Sequence, residues 1–317
     1  MKRTLFVLIL ATLSLTAYSQ NAAPADSARW KPDATVAYTT YPEQSLEMDV
    51  FYPQEKSGAD RRCVVFIYGG GFINNNLRSS STQSFCRRLA DDGYVAIAID
   101  YRLGLKGQVF KSKIGMIKPL GNAVSLAVED CSKALSYIIA HAGELGIDPA
   151  SIILCGSSAG AITALQTDYE ICNRTANVKS LPEDFHPAGV VSFAGAIFST
   201  DGKVKYKYGT PAPTLMLHGT ADSLVPYDRI AMFGIRFSGS NDLVKVFKEN
   251  HYPHLLIRYV GEGHGVSARM TDSYEQFIWF VDNFVAARHN YEMDITWNDH
   301  DHIPVDWDNS QPDDLYK

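Results

Sequence analysis

The sequence lacks a block or stripe of basic residues. It carries 29 Lys and Arg against 35 Asp and Glu over 317 residues, which gives a formal net charge of −6. Proteins that bind nucleic acids owe much of their affinity to clustered positive charge that neutralises phosphates. The charge distribution therefore argues against a nucleic-acid partner.

Cysteine is scarce, and no CxxC or metal-ligand spacing is present. An odd number of cysteines cannot pair completely within one chain, so at least one thiol should be free. Several of them fall in apolar surroundings, where a free cysteine behaves as a small hydrophobic residue. We interpret them as core residues; one disulfide is possible, but the sequence does not assign it. The five are Cys63, Cys86, Cys131, Cys155 and Cys172.

Long apolar runs are missing from the sequence that follows the N-terminal stretch. No segment there reaches the roughly 18 apolar residues of a membrane-spanning helix. The first residues read MKR, followed by the apolar stretch LFVLILATLSL and then small polar residues. This is the pattern of a secretory signal with a cleavage site after Ser19. We predict a signal peptide over 1–19, no membrane span after its removal, and an exported protein, periplasmic or secreted. An uncleaved anchor is the alternative.

Short apolar runs alternate with helical patterns between residues 34 and 289. Continuous runs such as CVVFIY suit strands buried on both faces, and their alternation with helices favours a mostly parallel sheet with helices on both faces. No linker or repeat divides the stretch, so we predict one α/β domain over 34–289 and an acidic tail, peripheral or partly disordered, over 290–317. The predicted strands are 34–40, 46–53, 63–68, 94–100, 151–155, 189–193, 214–218 and 255–260, and the predicted helices are 81–93, 119–143, 159–172 and 271–289.

Two loop-like stretches, 173–188 and 199–212, fall outside this alternation. They contain proline, lysine and tyrosine. They are expected at the edge of the sheet where the carboxyl ends of the strands emerge, which is where α/β proteins bind ligands. We therefore expect them to wall a pocket.

The pentapeptide GSSAG (156–160) follows the apolar run SIILC and opens the predicted helix 159–172. It places Ser158 in G-x-S-x-G, the pattern of a nucleophile on a sharp turn between strand and helix. Larger side chains at Gly156 and Gly160 would collide with neighbouring backbone. The helix N-terminus after the serine also supplies positive potential where an oxyanion would develop.

A serine hydroxyl needs a base to accept its proton. His264 lies in the glycine-rich GEGHG after the last predicted strand, a context that argues against a core histidine. Asp222 follows the run TLMLH and would fix the imidazole tautomer and stabilise the imidazolium. Asp201 and Asp228 are alternative candidates for the acid, but they follow a predicted strand less directly. We predict a catalytic triad of Ser158, Asp222 and His264.

The segment IYGGGF (67–72) follows the first long buried run. It lacks the G-x-G-x-x-G spacing of a dinucleotide-binding loop, so a phosphate cradle is disfavoured. The backbone N–H groups of Gly70 and Gly71, joined by that of Ala159, would instead bind an oxyanion. Nearby side chains are candidate substrate contacts, with loop packing as the alternative: Tyr68, Phe72, Asn74, Asn75 and Asn76.

These segments together resemble the α/β-hydrolase superfamily, specifically the carboxylesterase and hormone-sensitive-lipase-like branch. The resemblance runs from about residue 34 to 289 through YGGGF, DYRL, VEDCSKALSYI with GIDPASI, GSSAG, HGTADSLVP and GEGHG. It implies an α/β-hydrolase fold and the hydrolysis of carboxylic esters through an acyl-enzyme, without metal or cofactor. Many hormone-sensitive-lipase relatives have His where Tyr68 stands and GDSAGG where this chain has GSSAGA. The type-B carboxylesterases share a similar IYGGGF, but they are far longer and use GESAG with a Glu acid.

Exported esterases of this size often resemble enzymes that remove acetyl or hydroxycinnamoyl groups from plant polysaccharides. The resemblance thus implies a small ester or an acylated carbohydrate as the substrate. A serine peptidase of the prolyl-oligopeptidase type is one alternative, although such enzymes usually carry a large N-terminal propeller. A non-catalytic hydrolase-like binding protein is another, although such proteins typically lose the serine or the histidine.

Alternating carboxylates and imidazoles near the C-terminus would suit a divalent metal. A solvated acidic run is the preferred interpretation, because polar acidic segments usually stay hydrated. We therefore predict no metal site. The residues concerned are Asp299, His300, Asp301 and His302.

Overall fold

Twelve strands form within the part of the chain that the computed structural model describes, namely residues 30–54, 62–110, 113–232 and 234–299. They are β1 (Ala34–Tyr41), β2 (Gln44–Phe51), β3 (Cys63–Ile67), β4 (Val95–Ile99), β5 (Ile152–Ser157), β6 (Gly189–Phe193), β7 (Ala196–Ser199), β8 (Thr214–Gly219), β9 (Arg229–Met232), β10 (Ile235–Gly239), β11 (His254–Tyr259) and β12 (Glu292–Trp297). Nine form a large sheet in the order β1-β2-β4-β3-β5-β6-β8-β11-β12, and three form a small sheet in the order β7-β10-β9.

The large sheet is mostly parallel. β1 pairs antiparallel with β2, and β2 with β4. The other neighbouring pairs are parallel. Every residue of β3, β4, β5, β6 and β8 is buried. A parallel sheet is covered on both faces, so its strands are apolar throughout, as in CVVFI and VAIAI. The predicted α/β architecture and the eight predicted strands are confirmed.

Helices connect the strands and flank the sheet. They are α1 (Ser80–Asp91), α2 (Lys113–Ala140), α3 (Ala142–Leu145), α4 (Ala159–Asn173), α5 (Ser240–Glu249) and α6 (Tyr274–Phe280), and α6 continues as a π-helix over Val281–Ala286. The hydroxyl of Ser79 caps α1 by accepting from the N–H of Thr82. Pro119, which lacks an N–H and so suggests a helix start, lies in the second turn of α2. The predicted start of this helix is therefore late by six residues.

The small sheet and α5 are not predicted by the sequence patterns. β7 and β9 have only four residues each, and three of the four in β9 are exposed. Such short strands leave no apolar run or clear alternation to recognise. The small sheet nevertheless forms part of the functional site described below.

The large sheet extends beyond residue 289, which corrects the predicted boundary of the tail. β12 pairs in parallel with β11, and most of its residues are exposed. An exposed, acidic edge strand lacks the apolar pattern of a buried strand, so the sequence alone assigns these residues to the tail. The predicted signal peptide and residues 300–317, including most of the Asp-His run, lie outside the described residues.

All five cysteines are buried and none forms a disulfide. Burial raises the pKa of the Cys131 thiol to about 12. A thiol that resists ionisation is a poor nucleophile and a poor metal ligand. The interpretation of the cysteines as core residues is confirmed.

Helix α4 buries the carboxyl group of Asp168. Its oxygens lie 3.3 and 3.4 Å from the backbone nitrogen of Ala212. Burial raises the pKa of Asp168 to about 7, and the single backbone donor offsets this only in part. The folded protein therefore holds a proton that an unfolded chain would release above about pH 4.

We expect the Asp168→Asn variant to lose a pH dependence of stability that the wild-type carboxyl imposes. Because the folded state keeps the proton, the wild-type free energy of unfolding falls as pH rises from about 4 to about 7 and then levels off. The variant should gain stability relative to wild type over that interval, as measured by urea unfolding at a series of pH values. The exposed Asp184→Asn variant is the control. A difference between Asp168→Asn and wild type that does not change with pH would contradict the prediction.

Candidate active site

Ser158 lies on the turn between β5 and α4 in a strained backbone conformation. Its φ and ψ are 51° and −117°, a combination that residues other than glycine rarely adopt. A Cβ on Gly156 would lie 2.2 Å from the carbonyl oxygen of Gly160, and one on Gly160 would lie 1.9 Å from that of Ile67. The predicted reason for the small residues is confirmed. Ser158 itself is partly exposed, whereas residues 152–157 and 159–168 are buried.

The three predicted triad residues form a chain of hydrogen bonds. Ser158 Oγ lies 2.7 Å from His264 Nε2, and His264 Nδ1 lies 2.8 Å from Asp222 Oδ2. An ionised carboxylate can only accept, so Nδ1 carries the proton and Nε2 is able to accept the serine proton. This is the tautomer that a general base needs.

Asp222 is a buried charge with several hydrogen-bond donors. Its Oδ1 accepts from the N–H groups of Leu224 and Val225 at 2.9 and 3.0 Å. Burial alone would raise the pKa of Asp222. Hydrogen bonds from His218 and His264 outweigh that effect and hold this pKa well below its ordinary value. The carboxylate is therefore ionised throughout the neutral range and can stabilise an imidazolium.

The loops after β8 and β11, which carry the acid and the base, are held against each other. Ala221 N donates to the carbonyl oxygen of Glu262 at 2.9 Å. A Cβ on Gly219 would lie 2.3 Å from the same oxygen, so glycine permits the close approach. The guanidinium of Arg269 donates to the buried Glu262 carboxylate at 2.6 and 2.8 Å. These contacts fix the separation of the acid and the base.

A pocket of about 270 Å³, lined mostly by apolar side chains, opens beside Ser158, and we call it the apolar pocket. Ala159, Ile162 and Phe72 lie near its catalytic end, together with His264. Its other walls come from the first turns of α2 and from the small sheet, and they are formed by Met116, Ile117, Leu120, Phe198, Ile230, Met232, Ile235 and Phe237.

A second pocket of about 250 Å³ also reaches Ser158, and we call it the hydroxyl pocket. It shares Gly71, Leu224 and His264 with the apolar pocket, so the two pockets meet at the nucleophile. Its lining is rich in groups that both donate and accept hydrogen bonds: Asn76, Ser79, Ser81, Thr82, Ser157 and Ser267.

The residues predicted to bind an oxyanion lie at this meeting point. Ala159 and Gly71 line the apolar pocket, and Gly70 lines the hydroxyl pocket. Ala159 is the first residue of α4, so its N–H has no acceptor within the helix. Gly70 and Gly71 adopt φ values of 140° and 64°, and a Cβ on Gly70 would lie 2.4 Å from the carbonyl oxygen of Asn74. The oxyanion hole stays a prediction.

Tyr68 lines neither the apolar pocket nor the hydroxyl pocket. It is buried, and its hydroxyl donates to Asp100 Oδ1 at 2.5 Å. The same oxygen accepts from Asn75 Nδ2 and from the N–H of Tyr101. Asp100, the first residue of DYRL, thus ties the loop to the end of β4. The predicted substrate contact at Tyr68 is corrected to a support of the loop.

The remaining predicted contacts divide into two groups. Phe72 lines the apolar pocket, and Asn76 lines the hydroxyl pocket while donating to the carbonyl oxygen of Gly69 at 2.9 Å. Asn74 is exposed and is not part of either lining, so it is not placed as a substrate contact. Its backbone N–H instead donates to the carbonyl of Gly70.

The walls of the apolar pocket differ from those expected. The stretches 173–188 and 199–212 do not line it; some of their residues line a separate polar pocket described below. The residues that do line it are apolar side chains on elements far apart in sequence. A signal that could have identified them is the apolar cluster Met116, Ile117 and Leu120 on either side of the predicted helix start at residue 119.

Neither a metal cluster nor a membrane helix is found among the described residues. No group of three or more His, Cys, Asp and Glu side chains there is placed to hold an ion. No helix in the described part of the chain is long and apolar enough to cross a bilayer.

Comparisons with known proteins point to esterases. A family model described as BD-FAE matches residues 48–197. Arylacetamide deacetylase-like 3 of Mus musculus is 25% identical over 41% of this chain and 28% of that protein. A probable isoprenylcysteine alpha-carbonyl methylesterase, ICME, of Oryza sativa subsp. japonica is 24% identical over 73% of this chain and 57% of that protein. The chain therefore spans less than two thirds of these curated relatives.

A similar fold is found among solved structures. The esterase Est2 of the planctomycete Thermogutta terrifontis matches 82% of this chain and 95% of its own, with a TM-score of 0.57 and 22% identity. The same esterase phosphorylated by paraoxon matches 78% of this chain and 94% of its own, with a TM-score of 0.53 and 22% identity. The chain therefore has the α/β-hydrolase fold of these esterases, and parts of its sequence are similar to esterases.

Proposed function

We propose that the protein is a serine carboxylic-ester hydrolase that works through an acyl-enzyme. The observation that carries the proposal is the hydrogen-bonded chain from Asp222 through His264 to Ser158, with contacts of 2.8 and 2.7 Å. This chain ends at a partly exposed serine where two pockets meet. The esterase relatives support the same chemistry.

In the first half of the proposed reaction, Ser158 Oγ attacks the ester carbonyl carbon and His264 Nε2 takes the hydroxyl proton. The resulting tetrahedral oxyanion accepts hydrogen bonds from the backbone N–H groups of Gly70, Gly71 and Ala159. Collapse of the intermediate breaks the bond to the alcohol oxygen, which receives the proton from His264. The acyl group remains on Ser158.

In the second half, water replaces the alcohol. His264 accepts a proton from the water as its oxygen attacks the acyl carbon, and Ser158 leaves with that proton as the acid is released. Asp222 remains ionised and stabilises the imidazolium at each stage. Fixed donors at the oxyanion are typically worth about 3–4 kcal/mol of barrier each, because they need no reorganisation during the reaction.

For the substrate, we propose an ester between a small or aromatic acyl group and a hydroxyl-rich alcohol such as a carbohydrate. The apolar pocket offers no charged side chain to an acyl group, and Phe72, Phe198 and Phe237 line it. The hydroxyl pocket offers Ser and Thr groups that match the alternating donors and acceptors of a sugar. Acetyl and feruloyl esters of plant carbohydrates fit this description.

We also propose that the protein is exported and that the segment over 1–19 is removed. The support is the order of a basic start, an apolar stretch and small residues in the sequence. N-terminal sequencing of the protein recovered from outside the cytoplasm would show Gln20 as the first residue. A chain that still begins at Met1 would contradict cleavage.

We expect the Ser158→Ala variant to lose at least about 10³-fold in kcat/KM toward 4-nitrophenyl acetate and methyl ferulate, because the acyl-enzyme cannot form. Ser157→Ala is the matched control, since the hydroxyl of Ser157 donates to the carbonyl of Ser267 and not to His264. We expect this control to lose no more than about tenfold. Full activity in Ser158→Ala would refute the mechanism. Absence of turnover of either ester by a folded wild-type protein would favour a peptidase or a binding protein.

We expect the Asp222→Asn variant to lose about 10³–10⁴-fold in kcat, because an amide no longer fixes the imidazole tautomer. The low pKa of Asp222 means that its ionised form stabilises the fold above about pH 4 and that this contribution disappears as the pH falls toward the folded pKa. The difference in unfolding free energy between variant and wild type should therefore shrink at acidic pH. Asp228→Asn, which alters the exposed rival, should retain activity. Equal losses in the two variants would contradict the assignment of the acid.

A further inference from the structure

A third pocket, of about 560 Å³, lies behind the apolar pocket. We call it the amide pocket because Asn122, Gln166, Asn173 and Asn177 contribute to its lining. Phe198 and Ile235 line both the amide pocket and the apolar pocket. These two side chains therefore form a partition between an apolar space that reaches the nucleophile and a larger polar space that does not.

The position of Phe198 is fixed by its surroundings. Its backbone N–H donates to Gln166 Oε1 at 2.9 Å, and its carbonyl oxygen accepts from Gln166 Nε2 at 3.0 Å. Gln166 is itself buried on α4. A Cβ on Gly121 would lie 2.9 Å from the ring of Phe198, so the ring packs onto bare backbone of α2. A ring held on these sides cannot turn aside easily for a longer ligand.

We infer that Phe198 is the end wall of the apolar pocket and sets the longest acyl group that the enzyme accepts. This inference rests on the proposed ester hydrolysis. An acyl chain that enters from Ser158 runs between apolar walls until it meets the ring. Removing the ring joins the apolar pocket to the amide pocket and removes the steric limit. Phe237, whose ring lies 6.3 Å from that of Phe198, lines the apolar pocket but not the amide pocket and offers a matched control.

The experiment measures kcat/KM for 4-nitrophenyl esters from acetate to dodecanoate with wild type, Phe198→Ala and Phe237→Ala. The ratio of decanoate to butyrate should rise about tenfold or more in Phe198→Ala, since pocket contacts of this size discriminate by about 10–200-fold. It should change by less than about threefold in Phe237→Ala, which widens the pocket without joining it to the next. Equal ratios in the two variants, or an unchanged ratio in Phe198→Ala, would overturn the inference. Phe198→Leu is the milder variant if Phe198→Ala does not fold.

Equilibrium binding separates failure of this inference from failure of the proposed function. The same esters are titrated into Ser158→Ala and into Ser158→Ala with Phe198→Ala, where no turnover is needed. Affinity for the longer esters should rise only in the double variant. Unchanged length preference would refute the role of Phe198 even if the wild-type protein hydrolysed no ester.

A separate observation concerns a second imidazole at the triad acid. His218, on β8, is completely buried. Its Nε2 lies 3.3 Å from Asp222 Oδ2 and 3.2 Å from the carbonyl oxygen of Val225. Both of these groups accept, so Nε2 carries the proton. The other ring nitrogen, Nδ1, therefore accepts from the hydroxyl of Ser240 at 2.8 Å.

We propose that His218 is a positioning residue that, oriented by Ser240, donates to Asp222 and limits how strongly this carboxylate attracts the proton of His264. Asp222 Oδ2 then shares its negative charge between two imidazole donors. Without His218, the carboxylate would interact more strongly with His264 and favour its charged form. The ring of Tyr227 packs against the ring of His218, with their centroids 5.6 Å apart.

The test compares His218→Leu, which removes the donor, with His218→Gln, whose amide nitrogen can replace Nε2. In His218→Leu, kcat should fall about 10–100-fold with KM little changed, and the acidic limb of the kcat/KM profile should move to higher pH. His218→Gln should restore the position of that limb. A purely structural role predicts lower thermal stability with the limb unmoved in both variants, and this result would overturn the proposal.

Discussion

The close approach of three backbones at Gly156, Gly160 and Ile67 determines the rest of the site. Only glycine allows the start of α4 to lie within contact distance of the end of β3. That contact forces Ser158 into its strained conformation and raises its hydroxyl above buried neighbours. It also brings the first N–H of α4 beside the glycine loop that follows β3. One steric condition thus positions both the nucleophile and the groups that would receive its oxyanion.

The second condition is the burial of a negative charge at Asp222. Two backbone N–H groups and two imidazoles surround a carboxylate that water does not reach. Such a charge is stable only while all of its donors stay in place, because an unpaired buried charge is costly. The contacts between the loops after β8 and β11 serve this requirement. The salt bridge between Glu262 and Arg269 therefore supports the proposed reaction by holding these loops, although it does not contact the reacting atoms.

The sequence predicts the catalytic end of the site better than its walls. Each triad residue lies in a motif that can be recognised from a few neighbouring residues: GSSAG, HGTAD and GEGHG. The order and context of these motifs identify Ser158, Asp222 and His264 before any tertiary structure is known. The pocket walls have no such local signal, because Met116, Ile230 and Phe237 become neighbours only when α2 and the small sheet fold over the serine. The sequence pattern did not distinguish Tyr68, whose side chain lies in the core, from Phe72, whose side chain lines the apolar pocket four residues later. Strand β12 escaped prediction because its exposed residues lack an apolar pattern.

The five unpaired, buried thiols have a consequence for how the chain matures and how it is studied. Folding requires no oxidation step among them, so a reducing compartment and an oxidising one are equally suitable for producing the native state. Because the thiols lie within the packed interior, an alkylating reagent reaches them only when the molecule opens. The rate of alkylation then reports the frequency of that opening. The five thiols, which lie on elements from β3 to α4, can therefore be used as probes of local opening of the folded protein.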